Sequence, residues 1–340
     1  MSFANEIADH LRECWFAICR SRDVKGMPVG FILYGTPIVL TRLNGDVRAF
    51  IDRCPHRNAR LSAGKIVTGA IQCPYHGWQF DHDGECVRVP GFNGPAKHRT
   101  RSLTLVKTKE QDGMIWATFG SGSTSLGLYS PSWLGEHPHH SFIWQTSSRG
   151  NLANLIENFL DPTHTHFVHA GLIRRDSQRQ QVRALVTPEK DRVEVEYTNE
   201  GKQAGLISRL FERDRSTSFG RFIFPSTAEI EYRSISGTSF SISAHFTPTD
   251  GDYVIIHAVV SVEGGPLTRR LKRAVAWPWF WMALQQDRKV VRAQRENIER
   301  FGSEQFTSTD VDLLGTHVRR MLNEGPYRSV PKPRSVDLDL

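Results

Sequence analysis

Two short segments of the sequence each pair a cysteine with a histidine. One residue separates Cys54 from His56 and two separate Cys73 from His76, with sixteen residues between the pairs. Thiolates and imidazoles in this ratio hold either one zinc ion or a 2Fe-2S cluster whose cysteines bind one iron and whose histidines bind the other. A zinc finger usually carries its cysteines on one loop and its histidines on a helix. One cysteine and one histidine per segment therefore favour the cluster, with zinc as the alternative.

A second group of candidate ligands occurs about a hundred residues later, in the segment ENFLDPTHTHFVH. It contains Asn158, Asp161, His164, His166 and His169. A single 2Fe-2S domain has no use for these histidines, so the segment indicates a second metal. Two imidazoles and one carboxylate on one face of Fe(II) leave the other coordination positions free for O2 and substrate.

A third ligand is predicted on a late helix. Leu284, Val291 and Ile298 recur every seven residues along one face of a helix that spans roughly Met282 to Phe301. Asp287 falls on this apolar face, three residues after Leu284 and four before Val291. A buried, unpaired carboxylate is costly, so Asp287 should be neutralised by a metal or another cation. An ion pair with an arginine of the same helix is the alternative.

A predicted helix precedes the histidine segment. Its apolar residues recur at helical spacing: Leu152, Leu155, Ile156, Phe159 and Leu160. Pro162 lacks an amide hydrogen, so the helix should stop or kink at Asp161, which can then cap a new turn. His164 and His169 are five residues apart, about 140° around a regular helix. Both can face one ion only if the helix is bulged or ends between them.

The remaining pattern predicts two domains, residues 1–125 and 126–340. Three dipeptides that favour hairpin turns separate β-prone runs in the first domain: Asn44-Gly45, Asp83-Gly84 and Asp112-Gly113. Residues 120–140 are rich in Gly, Ser, Pro and His, which is typical of a linker. Residues 182–262 are rich in β-branched and aromatic residues and predict several antiparallel strands. Strands and helices together make the second domain α+β.

The two Cys-His pairs resemble the motif of Rieske iron–sulfur proteins, in which Cys-x-His is followed after fifteen to seventeen residues by Cys-x-x-His. Pro55 and Gly77-Trp78 also match that motif. The second segment is similar to the Rieske non-haem iron oxygenases, whose pattern Asn/Asp-x-x-Asp-x-x-His-x-x-x-x-His has matching residues here. They are Asn158, Asp161, His164 and His169.

The resemblance implies a role for each matching residue. Cys54, His56, Cys73 and His76 would bind the cluster, His164 and His169 would bind a mononuclear Fe(II), and Asp287 would complete a triad of two histidines and one carboxylate. Asn158 and Asp161 would be catalytic residues, and Asp161 would bridge a cluster histidine and an iron-ligand histidine across the boundary between two subunits of a homotrimer. His166 falls outside the pattern and is interpreted as exposed or core-packed.

The family resemblance also implies the fold and the activity. An N-terminal antiparallel β Rieske domain would precede a catalytic domain with a central antiparallel sheet flanked by helices. A reductase or ferredoxin would supply electrons from NAD(P)H, and O2 would hydroxylate a small apolar or aromatic substrate. At 340 residues the chain is similar to the compact demethylases of vanillate, dicamba and methylxanthines, so oxidative O- or N-demethylation in aromatic compound catabolism is predicted. The alternatives are a cis-dihydroxylating dioxygenase and a non-catalytic Rieske electron-transfer or sensor protein.

Several residues are candidates for the substrate pocket. Asn154 lies beside the iron segment and His245 lies in a strand. An aromatic cluster precedes the ligand helix and consists of Trp277, Trp279, Phe280 and Trp281. Plain core packing is the alternative for each of these residues, and contact with a membrane surface is a further alternative for the aromatic cluster.

Composition excludes several classes. The 43 Lys and Arg residues outnumber the 36 Asp and Glu but are scattered, so nucleic-acid binding is not favoured and a positive potential that attracts an acidic partner is the simpler interpretation. No apolar run reaches the roughly 18 residues of a transmembrane helix, and no secretory signal is evident, so a cytoplasmic protein is expected. Cys14, Cys19 and Cys86 have no histidine at ligand spacing and are expected to be buried thiols.

Overall fold

The computed structural model describes residues 9–340 apart from 124, 132, 134–139, 202, 204, 206–214, 235–236 and 263–265. The chain divides into two compact units. The first contains the segment up to Leu128 together with Thr247–Gly251, and the second contains Tyr129–Phe246 and Asp252–Leu340. Part of the predicted linker 120–140 lies outside the described residues.

The first unit is built from antiparallel strands, as the sequence predicts. Its ten strands are β1 (Phe16–Arg20), β2 (Val29–Leu33), β3 (Thr36–Leu43), β4 (Asp46–Ile51), β5 (Lys65–Val67), β6 (Ala70–Gln72), β7 (Gln79–Phe80), β8 (Cys86–Arg88), β9 (Leu105–Gln111) and β10 (Met114–Thr118). They form a six-stranded sheet in the order β1-β10-β9-β4-β3-β2 and a four-stranded sheet in the order β5-β6-β7-β8.

The predicted hairpin turns lie where expected. Leu43 pairs with Asp46, so Asn44 and Gly45 form a two-residue turn, and both have positive φ values, of 56° and 95°. Asp112 and Gly113 repeat this geometry between β9 and β10. A hairpin with two residues at positive φ matches the twist of the flanking strands, which explains the preference for Asn-Gly and Asp-Gly.

Apolar side chains from both sheets form the core of the first unit. Members from the six-stranded sheet include Val39 and Phe50, and members from the four-stranded sheet include Ile71 and Phe80. Cys54 and Cys73 belong to the same buried cluster, so close packing against this core holds the loops that carry them in position.

The second unit contains one eight-stranded sheet, as the predicted run of strands requires. Its strands are β11 (His140–Arg149), β12 (Gln181–Pro188), β13 (Arg192–Thr198), β14 (Arg215–Ile223), β15 (Thr227–Ser234), β16 (Gly237–Pro248), β17 (Tyr253–Val262) and β18 (Arg334–Asp339). Their order is β11-β17-β16-β15-β14-β13-β12-β18. Buried residues alternate with less buried ones along β13, where Val193, Val195 and Tyr197 point to the interior.

Among the residues that the structure describes, three helices belong to the second unit. They are α1 (Leu152–Leu160), α2 (Pro266–Phe301) and α3 (Gly315–Glu324). The sequence predicts α1 correctly, including its end before Asp161. It places the start of α2 near Met282, sixteen residues too late, because the recognisable apolar repeat begins only at Leu284. The helix instead continues through Pro278. No helix among the described residues is long and apolar enough to cross a membrane.

Gly84 provides a test of the packing beneath the cluster loops. Its φ is +80°, and an added Cβ would lie 2.9 Å from Cε1 of Phe50 and 3.2 Å from Cβ of Leu103. Gly84→Ala should therefore lower the free energy of unfolding by about 2 to 4 kcal/mol, since it adds both backbone strain and overpacking. The control is Gly91→Ala, where φ is +74° but no atom lies within 4 Å, and about 1 kcal/mol is expected. Urea unfolding of the two variants measures the difference, and equal losses would contradict the close contact with Phe50.

Candidate metal centres and active-site cavity

The two Cys-His loops of the first unit have the same backbone hydrogen bonds. Cys54 N donates to Ala59 O at 2.9 Å, and Cys73 N donates to Trp78 O at 2.8 Å. Four residues after each cysteine, Asn58 N and Gly77 N donate back to the carbonyl oxygen of that cysteine. The residue at this fourth position has positive φ in both loops, which asparagine and glycine tolerate best. The loops are therefore two copies of one turn.

The four side chains divide into a cysteine pair and a histidine pair. Cys54 and Cys73 are buried, and both belong to the same core cluster of the first unit. Burial raises the pKa of Cys54 to about 11 in the absence of metal. The rings of His56 and His76 lie with their centroids 4.5 Å apart, and the indole of Trp78 stacks on His56 at 4.6 Å. This separation of sulfur from nitrogen ligands suits two adjacent irons with different ligands.

In the second unit, a sharp turn follows α1 and carries the histidines. Asp161 Oδ1 accepts hydrogen bonds from Thr163 N at 2.7 Å and from Thr163 Oγ1 at 2.6 Å, while Oδ2 accepts one from His164 N at 3.3 Å. A short 3-10 helix, Thr163–His166, then begins. Asp161 therefore caps this turn, as its position before Pro162 predicts. The α-helix α1 ends at Leu160, before both histidines rather than between them. The angle of about 140° that a regular α-helix would impose between His164 and His169 therefore does not apply.

The side chains of His164, His169 and Asp287 converge on one point. Their candidate ligand atoms all lie within 4.8 Å of one another. Asp287 Oδ1 is 3.0 Å from His169 Nε2 and 3.4 Å from His164 Nε2. Two imidazoles and one carboxylate in this arrangement can hold a single Fe(II) on one face. The apolar stripe of α2 explains the position of Asp287, which faces the interior as its sequence spacing predicts.

Neighbouring groups orient both imidazoles. His169 Nδ1 is 2.8 Å from Gln286 Oε1. An amide oxygen only accepts hydrogen bonds, so Nδ1 of His169 carries the proton and Nε2 presents its lone pair to the triad. His164 Nδ1 lies 3.6 Å from Asp161 Oδ2. Each histidine therefore has one ring nitrogen directed at Asp287 and the other directed at a second polar side chain.

The electrostatics of the triad favour a cation. Burial alone would lower the pKa of His164, but the carboxylates of Asp161 and Asp287 outweigh burial and raise it to about 9. Burial alone would raise the pKa of Asp287, but His164 and His169 lower it below its usual value. Positive charge is therefore stabilised at this point in the protein.

The triad opens onto a cavity of about 270 Å³ in the second unit. Alternate residues of the sheet face the cavity, among them Trp144 on β11, Tyr232 on β15 and Ile256 on β17. From α2, Phe280 and Leu284 contribute to the same wall. The wall is predominantly aliphatic and aromatic, which suits an apolar or aromatic ligand.

A buried ion cluster holds the histidine turn in place. Arg174 Nη1 donates to Pro162 O and to Thr165 Oγ1, each at 2.9 Å, and Arg174 Nη2 pairs with Glu200. Glu200 also forms an ion pair with Arg215, whose Nη1 lies 2.7 Å from Glu200 Oε1. Burial alone would raise the pKa of Glu200, but Arg215 and Arg174 lower it to about 2, so this carboxylate is ionised. Sequence reasoning missed this cluster, because none of its members lies in a motif.

The structure places the candidate pocket residues in different environments. Asn158 lines the cavity, but Asn154, His245 and Trp281 do not appear among the described residues of its wall. Asn154 is packed inside α1 at 5% exposure. His245 is buried. Its burial and, to a smaller extent, the nearby His257 lower its pKa to about 3, so it is a neutral core residue. Trp281 is 51% exposed because it lies on the outer face of α2.

The rest of the aromatic cluster is divided between surfaces. Trp277 lines the cavity, packs against Trp144 with ring centroids 4.7 Å apart, and is also partly exposed. Phe280 lines the cavity, whereas Trp279 packs with Ala283 and Leu172. His166 is buried and is not part of the triad.

Comparison with known proteins identifies the family. Residues 14–108 match the Rieske [2Fe-2S] domain family. Residues 148–325, just over half of the chain, match the vanillate O-demethylase oxygenase C-terminal domain family. The chain belongs to the Rieske oxygenases. The resemblance noted in the sequence is thereby confirmed.

Individual relatives agree with this assignment. The chain is 33% identical over 180 residues to aminopyrrolnitrin oxygenase of Pseudomonas fluorescens, which covers 50% of this chain and 49% of the relative. It is 32% identical over 180 residues to the oxygenase component of dicamba O-demethylase from Stenotrophomonas maltophilia. This match covers 49% of this chain and 50% of that relative. These matches thus span about half the length of the curated relatives.

A solved structure shares the fold of this Rieske oxygenase. Dicamba monooxygenase bound to 3,6-dichlorosalicylic acid aligns with a TM-score of 0.78 at 22% sequence identity, covering 92% of this chain and 97% of that chain. At this identity the likeness is one of fold. It confirms the α+β prediction of a β-rich first domain and a second domain with a central antiparallel sheet.

The Rieske oxygenase family uses a 2Fe-2S cluster, a mononuclear iron and O2, and the donor sets of this chain fit both metal groups. Four zinc ligands would lie roughly 3.3 to 3.8 Å apart around one ion. Within the part of the chain that the structure describes, the ligand atoms of the triad lie within 4.8 Å of one another, but those of the four Cys-His side chains do not form such a group. A two-iron cluster suits the Cys-His loops better than one zinc.

Arg174 offers a test of how the Rieske oxygenase positions its histidine turn. Arg174→Met removes the donors to Pro162 and Thr165, so the turn should loosen and Fe(II) affinity at the triad should fall roughly 10- to 100-fold. The cluster signal in the first unit should not change. Arg183→Met is the control, since Arg183 forms an exposed pair with Asp337. Competition with a chelator measures the affinity, and an unchanged value would contradict the positioning role.

Proposed function

We propose that Cys54, His56, Cys73 and His76 bind the 2Fe-2S cluster of this chain. The support is the repeated turn geometry and the division into a buried cysteine pair and a histidine pair. We further propose that His164, His169 and Asp287 bind the mononuclear iron, which the convergence of their ligand atoms supports.

Iron content tests these ligand assignments. The purified protein should contain three irons per chain, two in the cluster and one at the triad. Asp287→Ala should lower this number to two, since the triad loses its carboxylate, and leave the anisotropic spin-resonance signal of the reduced cluster unchanged. His56→Ala should alter that signal. Elemental analysis and spin resonance measure both, and a colourless protein with one zinc would contradict the cluster.

We propose that the chain is a terminal oxygenase that takes electrons from a separate reductase or ferredoxin and demethylates a small apolar or aromatic substrate at oxygen or nitrogen. The observation that carries this proposal is that the triad opens directly onto an apolar cavity. When bound, the cluster supplies electrons and the iron activates O2. The names of the family and of the dicamba relative support demethylation in particular.

The residues of the chain contribute placement rather than acid–base chemistry. Aromatic and aliphatic walls remove water from the substrate and hold its methyl group beside the triad. The overall reaction consumes one O2, two electrons and two protons, and yields the demethylated product, formaldehyde and water. Hydroxylation of a methyl on oxygen or nitrogen gives a hemiacetal or hemiaminal that collapses unaided, so no further general acid is required.

Product analysis with labelled O2 tests the reaction. Methoxylated aromatics, N-methyl heterocycles and aryl hydrocarbons are supplied with a surrogate reductase, and formaldehyde should accumulate in step with O2 uptake. Phe280→Ala should reduce coupling between O2 uptake and product, because it opens the aromatic wall of the cavity to water. A cis-dihydrodiol that retains both oxygen atoms, without formaldehyde, would overturn demethylation in favour of dihydroxylation. A chain that binds iron but consumes no O2 would favour the electron-transfer alternative.

We propose that Asp161 also transmits electrons between subunits of a homotrimer, as the family resemblance implies. The Asp161 carboxylate lies 3.6 Å from His164 Nδ1, and the Asp161 side chain is 31% exposed. A histidine of another subunit could therefore reach it. His76 in the first unit is exposed as well. A carboxylate between two imidazoles would orient both.

Asp161→Asn tests this bridge. An amide oxygen can still accept the hydrogen bonds from Thr163, so the turn should persist and both metals should stay bound. Turnover should fall roughly 100-fold, because the negative charge between the imidazoles is lost. Asp176→Asn, in an exposed pair with Arg179, is the matched control. Loss of mononuclear iron to the same degree as in His164→Ala would instead give Asp161 a ligand-holding role.

A further inference from the structure

The first half of α2 carries a concentrated positive charge. From Pro266 to Gln286 the sequence contains four basic residues and no acidic one. The basic residues occupy four of five consecutive positions: Arg269, Arg270, Lys272 and Arg273. This stretch therefore has a formal charge of +4, more than half of the net charge of +7 of the whole chain.

Two exposed tryptophans follow the basic residues on the same helix. Trp277 is 41% exposed and Trp281 is 51% exposed. They are four residues apart, so they lie on one side of α2, one turn from each other. Ala274 and Pro278 are exposed as well and fall on this side by helical spacing. Large apolar side chains grouped at a surface are typical of an interaction site.

The other side of this part of α2 faces the interior of the second unit. Trp279 packs with Leu172 and Ala283, and Phe280 lines the cavity. The interior thus uses the aromatic residues next to Trp281. Packing within the unit does not account for a tryptophan at position 281, half of whose surface is in contact with water.

Tryptophan and basic residues together match the surface of an anionic membrane. An indole is a large apolar ring with one N–H donor, so it is most stable among lipid headgroups, where the ring leaves water and the N–H stays hydrated. Each Lys or Arg near an anionic leaflet strengthens binding about fivefold. Helices that lie in the plane of this interface combine both kinds of residue.

The charge pattern favours a lipid surface over a protein partner. A specific protein interface is usually defined by complementary charges of both signs, which fix the register of the two partners. The stretch from Pro266 to Gln286 has charges of one sign only, in a single short run. Such a run is attracted by a surface of uniform negative charge in any orientation about the membrane normal.

We propose that the first half of α2 binds an anionic lipid surface, with the indoles of Trp277 and Trp281 at the depth of the headgroups. Trp277 also lines the cavity, so the lipid would lie beside the cavity. An apolar substrate dissolved in the lipid would then enter past Trp277. This supply of substrate rests on the proposed function, whereas the lipid-binding surface does not.

Co-sedimentation of the purified holoprotein with lipid vesicles tests the surface without turnover. Vesicles of equal parts phosphatidylcholine and phosphatidylglycerol supply the anionic surface, and vesicles of phosphatidylcholine alone are the neutral control. The anionic vesicles should bind the protein at least roughly tenfold more tightly, because the basic run is attracted to them. Salt at about 0.5 M should remove most of this difference, since it screens the charges.

Trp281→Ala tests the depth of the contact. It should weaken binding to anionic vesicles roughly fivefold to tenfold, because the exposed indole no longer leaves water on binding. It should also remove part of the quenching of tryptophan fluorescence that brominated lipid chains cause in the wild-type protein. Iron content and circular dichroism should not change. Phe301→Ala is the matched control, because Phe301 is 76% exposed at the other end of α2, and it should bind as the wild-type protein does.

Arg270→Gln combined with Arg273→Gln tests the charge. Loss of two basic residues should weaken binding to anionic vesicles roughly 25-fold and leave binding to neutral vesicles unchanged. Arg292→Gln is the matched control, since Arg292 forms an exposed pair with Glu296 in the second half of α2. Its affinity for anionic vesicles should stay within about twofold of the wild-type value.

Four results would overturn the proposal. The first is the absence of binding to anionic vesicles at low salt. The second is an equal loss of binding in Trp281→Ala and Phe301→Ala, and the third is binding without quenching by brominated lipid, since either would place the contact elsewhere. The fourth is a lower oligomer mass of Trp281→Ala in light scattering, which would assign the exposed tryptophans to a contact between copies of the chain.

The outcomes also separate this surface from the proposed reaction. Vesicle binding that depends on Trp281, without formaldehyde production from any substrate, would retain the lipid surface and overturn demethylation. Formaldehyde production by a protein that does not bind anionic vesicles would retain demethylation and overturn the lipid surface.

Discussion

Two histidines five residues apart can bind one metal ion only if the chain between them does not follow a regular α-helix. Asp161 and Pro162 end α1 before the histidines: proline cannot continue the hydrogen bonds of α1, and the Asp161 carboxylate accepts the free amides of the next turn. The turn then delivers His164 and His169 to the same side of Asp287. The cavity, the proposed electron path through Asp161 and the placement of substrate all depend on this local change of direction.

A single turn beside an apolar cavity needs support from residues outside the turn. Arg174 provides that support, since it donates a hydrogen bond to the carbonyl oxygen of Pro162 and forms an ion pair with the ionised Glu200. The buried cluster contains two arginines and one glutamate. Removing one of them would leave a buried charge without its partner, which costs free energy. In the first unit, rigidity comes instead from apolar packing beneath two copies of the same loop.

Residues close in sequence were predictable, and contacts between distant elements were not. The spacing of Cys54, His56, Cys73 and His76 and the break at Pro162 are local signals, so they could be interpreted directly. The position of Asp287 followed from the apolar stripe of α2. Arg174 and Glu200 carry no such signal, because their pairing joins a loop to a residue beyond β13. Likewise, sequence could not decide that Trp277 faces the cavity and Trp281 the outside, since α2 begins before the recognisable repeat and its rotation was therefore unknown.

We infer two separate iron centres in this chain, one at the paired loops of the first unit and one at the triad of the second. Anomalous diffraction at the iron absorption edge, from crystals of the as-purified protein, locates them. We expect two anomalous features per chain: a stronger two-iron feature between the cysteine and histidine pairs, and a single-iron feature within about 2.2 Å of His164 Nε2, His169 Nε2 and an oxygen of Asp287. A single feature at the zinc edge among the four Cys-His ligands, or a second iron away from the triad, would contradict this inference.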